Sequence, residues 1–346
     1  MERIGFLSFG HWGRSRGSQT PTAGDALTQT IELAVAAEEL GIDGAYARVH
    51  HFARQISSPF PLLAAMAART SRIELGTGII DMRYEQPRYM AEAAASADLI
   101  SGGRLQLGLS RGSPEPAVDG ARHFGMTPAD GQTDADMARE HTAAFRSAIA
   151  GERFAEADPK MAGMAGRLPI EPQSPGLGDR VWWGSGSRPT AVWAAQQGMN
   201  LMSSTLLLED TGTPFHELQH QQILLFREAW AEAGWARTPR VSVSRSVLPI
   251  TSDLDRQYFG RGGGSDQVGV LDGVLSRFGK SYVGEPDAIV EELRRDSAVR
   301  AADTLLLTVP NQLGVEYNAR LLETVARDIA PALGWTPATE RDAAAA

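Results

Sequence analysis

Three short strings concentrate the side chains of this sequence that could do chemistry: Arg48-Val49-His50-His51-Phe52, Leu107-Gly108-Leu109-Ser110-Arg111-Gly112 and Gly184-Ser185-Gly186-Ser187-Arg188-Pro189-Thr190. The third has the makings of an anion site. Gly184 and Gly186 let a ligand approach the backbone, and a helix starting beside Ser187 offers free N–H groups at the positive end of its dipole. Ser187 and Thr190 are three apart across the first helical turn, which puts two hydroxyls on one face. Arg111, at the mouth of a neighbouring strand, would add a bidentate charged donor. The competing use of Ser187 is as a plain N-cap, with Pro189 and Thr190 in the first turn. With Arg111 beside it, the string reads better as a phosphate grip.

The adjacent histidines invite a metal, and strand geometry speaks against one. Successive strand residues face opposite sides, so His50 and His51 cannot both enter a barrel and chelate one ion. No carboxylate accompanies them in sequence. One imidazole is expected to face the site, as an acid/base or hydrogen-bonding group near neutral pH, while the other packs outside. A pair of packed structural histidines is the alternative. A further string, Leu75-Gly76-Thr77-Gly78-Ile79-Ile80, closes another strand. Its small residues leave room either for a flat ring against the backbone or for packing inside the barrel. The remaining motifs carry less. Gly260-Arg261-Gly262-Gly263-Gly264-Ser265 lacks the lysine and helix of a nucleotide loop and reads as a mobile insert. Asp134, Asp136 and Glu140 read as a solvated helix face, Trp182-Trp183 as core and helix packing, and Gly184-Ser185-Gly186 is too short for a nucleophile elbow.

These strings need elements to position them. Strand-like patterns occur at 3–8, 44–49, 72–79, 105–110, 181–183, 200–203, 240–248 and 304–309. Helix-like patterns occupy 25–40, 62–70, 87–100, 190–197, 216–233, 286–295 and 316–330. Eight strands each followed by helical sequence predict an α/β fold, a parallel (β/α)₈ TIM barrel. A doubly wound sheet would show a glycine fingerprint after its first strand, which Gly10-His11-Trp12-Gly13-Arg14 does not fit. In a barrel the strings fall at C-terminal strand ends, where active sites are built. Three stretches look added: 112–132 after strand four, 154–178, and 251–280 after strand seven. Long loops of this kind serve as lids or binding loops. One domain over residues 1–335 is expected, with a disordered tail over 336–346.

Composition narrows the function class. The 346 residues suffice for a large core, and 42% hydrophobic with 22% charged residues is the balance of a soluble globular protein. No apolar run reaches the ~20 residues that cross a bilayer, and Met1-Glu2-Arg3-Ile4 enters a strand without a signal-peptide layout. The absence of cysteine excludes disulfides, thiolate metal sites and a cysteine nucleophile. A net charge of −9 argues against nucleic acid. A cytoplasmic protein with neither nucleic-acid nor membrane partner is expected. With Lys160 and Lys280 the only lysines, phosphate grips must use arginine, hydroxyls or backbone amides.

Taken in order, the strings resemble the bacterial-luciferase-like flavin-dependent oxidoreductases and monooxygenases. The resemblance runs from the first strand to Pro331. It is carried by Gly41-Ile42-Asp43-Gly44 before His50-His51-Phe52, then Arg72-Ile73-Glu74-Leu75-Gly76-Thr77, then Gln86-Pro87 with Ala91-Glu92. Asp98-Leu99-Ile100-Ser101-Gly102-Gly103-Arg104-Leu105, Ser110-Arg111-Gly112 and 184–190 follow, with Ala194-Ala195 and Gly198 behind. The resemblance implies reduced FMN, or its relative F420, at the C-terminal mouth of the barrel. It makes His50 catalytic and puts the cofactor phosphate on Arg111, Ser187 and Thr190, with the Gly186 backbone beside them. The flavin ring would lie over the end of strand three, at Thr77, Gly78 and Ile79, where the family carries a non-prolyl cis peptide, here Gly78-Ile79. Ser110 would face the reactive edge of the ring. Two departures stand out: Val49 replaces the glutamate that luciferases carry before the histidine pair, and Asp81-Met82-Arg83-Tyr84-Glu85 replaces an apolar stretch. Long-chain aldehyde and light emission therefore do not carry over.

The resulting expectation is a flavin-dependent monooxygenase that uses reduced FMN and O₂ to oxidise a small organic substrate. A separate flavin reductase would supply the FMNH₂, and the family leads one to expect a homodimer. No metal is expected. An F420-dependent hydride-transfer oxidoreductase on the same barrel is the alternative. A non-catalytic flavin-binding protein and a metal-dependent hydrolase are rivals of other classes.

Overall fold

The strands that read as continuous apolar runs are buried on both faces, as parallel strands covered by helices must be. In this computed structural model, residues 1–345 are described apart from 113–115, 164, 210, 262–263 and 272–273. Eight strands close into a barrel: β1 (Arg3–Ser8), β2 (Gly44–Ala47), β3 (Glu74–Asp81), β4 (Leu105–Ser110), β5 (Val181–Ser185), β6 (Asn200–Ser203), β7 (Val241–Arg245) and β8 (Thr304–Val309). Each pairs parallel with its successor, and β8 pairs with β1 from Arg3↔Thr304 to Ser8↔Val309. The expected (β/α)₈ TIM barrel is the fold.

The connecting helices are α1 (Ala23–Glu39), α2 (Pro59–Arg69), α3 (Pro87–Ser101), α4 (Asp134–Ile149), α5 (Arg188–Gln196), α6 (Phe215–Glu232), α7 (Pro286–Arg295) and α8 (Gly314–Thr324). Their starts follow local chemistry. Thr22 with Asp25 and Thr133 with Asp136 form capping boxes for α1 and α4, while proline opens α2, α3, α5 and α7. The helix expected over 316–330 is α8 continued by a π-helical turn, Val325–Ile329.

At the N-terminal end, opposite the expected site, the barrel is plugged by a polar cluster. Arg240 grips Glu74 at 2.8 and 3.0 Å and lies 4.9 Å over the Trp182 ring, whose indole donates to Gln106. Burial and the neighbouring Glu74 carboxylate push the Tyr46 hydroxyl pKa up, so it stays protonated there.

Three expectations are corrected. The strand expected over 240–248 is two strands, because Arg245 is buried by its pair with Asp296 (2.7 Å) and the chain turns after it. Val247–Pro249 then pairs with Tyr282–Gly284 outside the ring. The stretch over 251–280 is not a bare loop: Gln267–Leu271 pairs with Val274–Phe278, which pairs in turn with Leu206–Leu207. Gly262 and Gly263, at the heart of the expected mobile segment, lie outside the described residues. Finally, the tail expected to be disordered carries a helix, α9 (Ala338–Ala345). It is anchored because the Trp335 indole donates to Asp43 (2.7 Å), the Ala338 N–H to the Gly41 carbonyl (2.9 Å), and Arg341 pairs with Asp43. Among the described residues no helix is long and apolar enough to cross a membrane.

Candidate active site

A cavity of about 500 Å³ opens at the C-terminal mouth of the barrel, within the size range of cofactor clefts. It draws residues from every strand end. Leu7 and Phe9 come from β1, Arg48 and His50 from β2, and Gly78, Ile79 and Asp81 from β3. Ser110 and Arg111 come from β4, Gly186, Ser187 and Thr190 from the β5–α5 junction, and Ser203, Ser244 and Leu306 from the last three strands. Leu206 and Leu208 close one side. Leu206 is paired with the sheet inserted after β7, so that insert helps cover the cavity.

The two histidines separate. Beyond β2, the Arg48 N–H donates to the Ser8 carbonyl (2.9 Å) and the Val49 N–H to the Ile79 carbonyl (3.3 Å), so strand-like pairing continues past Ala47. Arg48, Val49 and His50 all line the cavity as the chain leaves the strand. His51 turns away and stacks on Tyr84 (4.2 Å between ring centres, 19° between planes) with Phe124 edge-on at 5.2 Å. The two imidazoles thus have different surroundings, and no group of three or more metal-ligating side chains occurs among the described residues.

The anion grip has a specific form. Ser187 stands at the N-cap of α5, yet its hydroxyl caps no backbone N–H. It lies 2.9 Å from the Thr190 hydroxyl, which is 2.5 Å from the Ser185 hydroxyl. The plain N-cap reading thus fails, and Ser187 and Thr190 open onto the cavity with Arg111. Arg188 is engaged elsewhere, with Glu209 at 2.7 Å. The chain reaches Arg111 through a tight turn: the Gly112 N–H donates to the Ser110 hydroxyl (2.7 Å), and Gly112 has φ +83°. A Cβ at Gly112 would sit 1.9 Å from an Asp81 oxygen, so only glycine fits.

The rim of β3 divides the small residues between the two uses the sequence left open. The missing side chain of Gly76 makes way for the Tyr46 ring, 2.4 Å from where a Cβ would stand. Gly78, by contrast, lines the cavity. The β3–β4 register slips between Thr77 and Ile80, and the Gly78-Ile79 peptide there is cis. Thr77 is corrected as a cavity residue: it is fully buried, and its hydroxyl donates to the Gly108 carbonyl (2.9 Å) because its side chain faces β4. His50, Gly78, Ile79, Ser110, Arg111, Gly186, Ser187 and Thr190 are all brought together.

Sequence reasoning missed Phe9, Arg139 and Asp81 and gave Arg48 no role. Arg139 belongs to the helix read as a solvated face. It lines the cavity four residues after Ala135, which also lines it, and its guanidinium lies 5.1 Å over the Trp193 ring. The i, i+4 spacing was the available signal. Asp81 is chelated by Arg83 at 2.6–3.1 Å. Nearby, burial, and then the Asp81 charge, push the Glu85 carboxyl up to about 7. Burial, and then the nearby Arg48 and His50, hold the His11 pKa down.

A model of the family described as luciferase-like monooxygenase matches residues 1–256. The chain is 36% identical over 133 residues to 4-hydroxyprotoasukamycin monooxygenase of Streptomyces nodosus subsp. asukaensis, covering 38% of this chain and 34% of that protein. It is 33% identical over 110 residues to the oxygenase component of the flavin-dependent trigonelline monooxygenase of Acinetobacter baylyi, covering 31% and 30%. The matched stretches thus span about a third of the length of these curated relatives. Among solved structures, a monooxygenase from Streptomyces bottropensis superposes with TM-score 0.72 at 20% identity, over 95% of this chain and 99% of that one. The oxygenating constituent of 3,6-diketocamphane monooxygenase from Pseudomonas putida, solved with FMN, gives 0.68 at 18%, over 96% and 99%. The F420-dependent tetrahydromethanopterin reductase of Methanopyrus kandleri gives 0.61 at 15%, over 96% and 99%. At these identities the structural likeness establishes the shared fold.

Proposed function

The chain belongs to the luciferase-like monooxygenase family, and from that premise we propose that it is the oxygenase of a flavin-dependent pair, oxidising a small organic substrate with reduced FMN and O₂. The observation that carries this reading is the convergence of the Ser187–Thr190 hydroxyls, Arg111 and the Gly78-Ile79 rim on one cavity that also holds His50. Arg111, the two hydroxyls and the Gly186 backbone would hold the phosphate, helped by the free N–H groups at the start of α5. Gly78, Ile79 and Ser110 would face the ring, since Gly78 lacks a side chain where a flat group must lie close. Reduced flavin bound there supplies the electrons that activate O₂. His50 holds or moves a proton at its imidazole. Leu206 and Leu208 exclude water from the covered side, which protects reactive species from hydrolysis. The reduced cofactor would come from a separate reductase, in line with a relative named as an oxygenase component. F420-dependent hydride transfer is the second reading, favoured by structural likeness to an F420-dependent reductase.

An anaerobic titration with reduced FMN and, separately, with F420, followed by admission of air, tests the proposal. Preferential binding of reduced FMN, and oxidation in air coupled to substrate, are expected. Preferential binding of F420 with no response to O₂ would move the chain to hydride transfer. Binding of oxidised FMN alone, without turnover, would leave a flavin carrier.

A further inference from the structure

The hydroxyl grip does not end at the cavity wall. Ser185 on β5 and Ser203 on β6 are register partners in the barrel. Behind them stand two glutamines of α6, Gln219 and Gln222, about one helical turn apart. Both are fully buried, and neither lines the cavity. The Gln219 amide nitrogen donates to the Ser203 hydroxyl (3.0 Å) and to the Ser204 carbonyl (2.9 Å). The Ser203 hydroxyl donates to the Gln222 amide oxygen (2.6 Å). The Gln222 nitrogen donates in turn to the carbonyl and the hydroxyl of Ser185, at 3.3 and 3.4 Å. From there the Ser185 hydroxyl meets that of Thr190 (2.5 Å), and Thr190 meets Ser187 (2.9 Å).

This chain has a direction. A backbone carbonyl only accepts, so Ser204 and Ser185 fix which end of each amide is nitrogen. Ser203 must then pass its single hydrogen to Gln222, and every bond from Gln219 to Ser185 donates toward the grip. Gln219 holds its place although its own oxygen, buried, has no partner among the described residues. An unmatched buried acceptor costs stability, and an apolar side chain would fill the space without that cost. What the amide adds is donors. Ser185 has one hydrogen to give, to Thr190 or to the Ser187 carbonyl (2.8 Å), and Thr190 reaches the same carbonyl at 3.0 Å. That carbonyl already accepts from the Ala191 N–H (3.2 Å), so neither hydroxyl is required there. An anion that accepts from Thr190 leaves the Thr190 oxygen to receive from Ser185, and all donors then point one way. Hydrogen bonds aligned head to tail strengthen one another.

We propose that Gln222, backed by Gln219, is a positioning residue for the cofactor phosphate, turning the Ser185 and Thr190 hydroxyls into donors aimed at a phosphate monoester. The proposal rests on the flavin reading for the identity of that phosphate. The donor chain itself requires only an anion.

Anaerobic titrations of tryptophan fluorescence with reduced FMN and with reduced riboflavin, which lacks the phosphate, test this. The wild type is expected to prefer FMN. Gln222→Met keeps the length of the side chain and removes its donors; it should weaken FMN binding about tenfold and leave riboflavin within about twofold. Gln222→Glu gives a readout that a merely structural role would not move. Protonated, its carboxyl still accepts from Ser203 and donates to Ser185; ionised, it only accepts. Its preference for FMN over riboflavin should therefore approach that of the wild type at about pH 5.5 and drop below it as pH rises to about 8. No preference in the wild type, an unchanged preference in Gln222→Met, or equal weakening of both ligands would each overturn the proposal. A gap between Gln222→Glu and wild type that is the same at both ends of the pH range would do so too. If the wild type binds neither flavin, the flavin reading fails separately, and phosphorus NMR of inorganic phosphate decides the role of Gln222. Line broadening by the wild type that Gln222→Met weakens supports it, whereas equal broadening or none overturns it.

Discussion

Arg111 and His50 line one cavity, yet losing each should cost a different quantity. A charged hydrogen-bond partner of a phosphate is worth about 1.5–3 kcal/mol, so Arg111→Ala should weaken binding of reduced FMN by about tenfold to a hundredfold. His50→Ala should leave that affinity within a few-fold and lower turnover by about 10²–10⁴, the usual scale for a proton-transfer group. Equal losses of affinity and turnover in the histidine variant would remove His50 from the chemistry. Glu85 makes a prediction about stability instead. Its carboxyl ionises near 4.5 in the unfolded chain and is pushed to about 7 in the fold, first by burial and then by Asp81. The folded state therefore binds the extra proton. The contribution of Glu85 is full below about pH 4.5 and falls as pH rises toward 7, by roughly 3 kcal/mol at most. Thermal unfolding of wild type and Glu85→Gln from pH 4.5 to 7.5 checks this: the wild type should lose Tm relative to the variant as pH rises. Parallel curves would refute it.

At the scale of elements, one string of the resemblance, from Asp98 to Leu105, turns out to be a joint, remote from the chemistry. Asp98, fully buried near the end of α3, accepts from the Leu105 N–H (3.0 Å), the Ser174 hydroxyl (2.6 Å) and Arg180 (2.6 Å). Arg104 reaches the carbonyls of Ala67, Thr70, Ile73 and Ser101 and the Thr70 hydroxyl. These bonds lock α2, α3 and the start of β4 at the end of the barrel opposite the cavity. Asp98→Ala would leave the Arg180 charge without this partner and should destabilise the protein by about 3–5 kcal/mol in denaturant unfolding, with FMN affinity of the folded fraction unaltered. Strands such as Leu105–Ser110 and Thr304–Val309 were legible to the residue because apolar runs there are bounded by turn residues. The third strand was read two residues early. The Glu38 carboxylate, on α1, holds the Arg72 and Ile73 N–H groups at 2.6 and 2.8 Å and delays the strand to Glu74, a contact no local pattern shows. The register shift after Thr77 then breaks the regular pairing with β4 before Ile80. Arg139 was hidden for the opposite reason, since the acidic neighbours on its helix drew the reading toward solvent.

At the scale of the whole molecule, the C-terminal segment fastens the barrel at the base of β2. Asp43 accepts from the Ile4 N–H (2.8 Å) and the Trp335 indole (2.7 Å) and pairs with Arg341, joining β1, β2 and the tail at one carboxylate. Trp335 is buried, so Trp335→Ala should cost about 3–5 kcal/mol. A marked fall in Tm with intact FMN binding in the cold is expected; an unchanged Tm would mean that the tail only rests on the barrel. The closure of the ring also bears on how the protein is made. Thr304–Val309, which seals β1, is synthesised about 300 residues after Arg3–Ser8, a delay of roughly 15–60 s at cellular elongation rates. For that time the first strand waits with one edge unmatched, and an open edge is a template for pairing with the wrong chain. Covering that edge until the eighth strand emerges should therefore raise the yield in a heterologous host, so added chaperone should increase the soluble fraction even where the Tm of the finished barrel is unchanged.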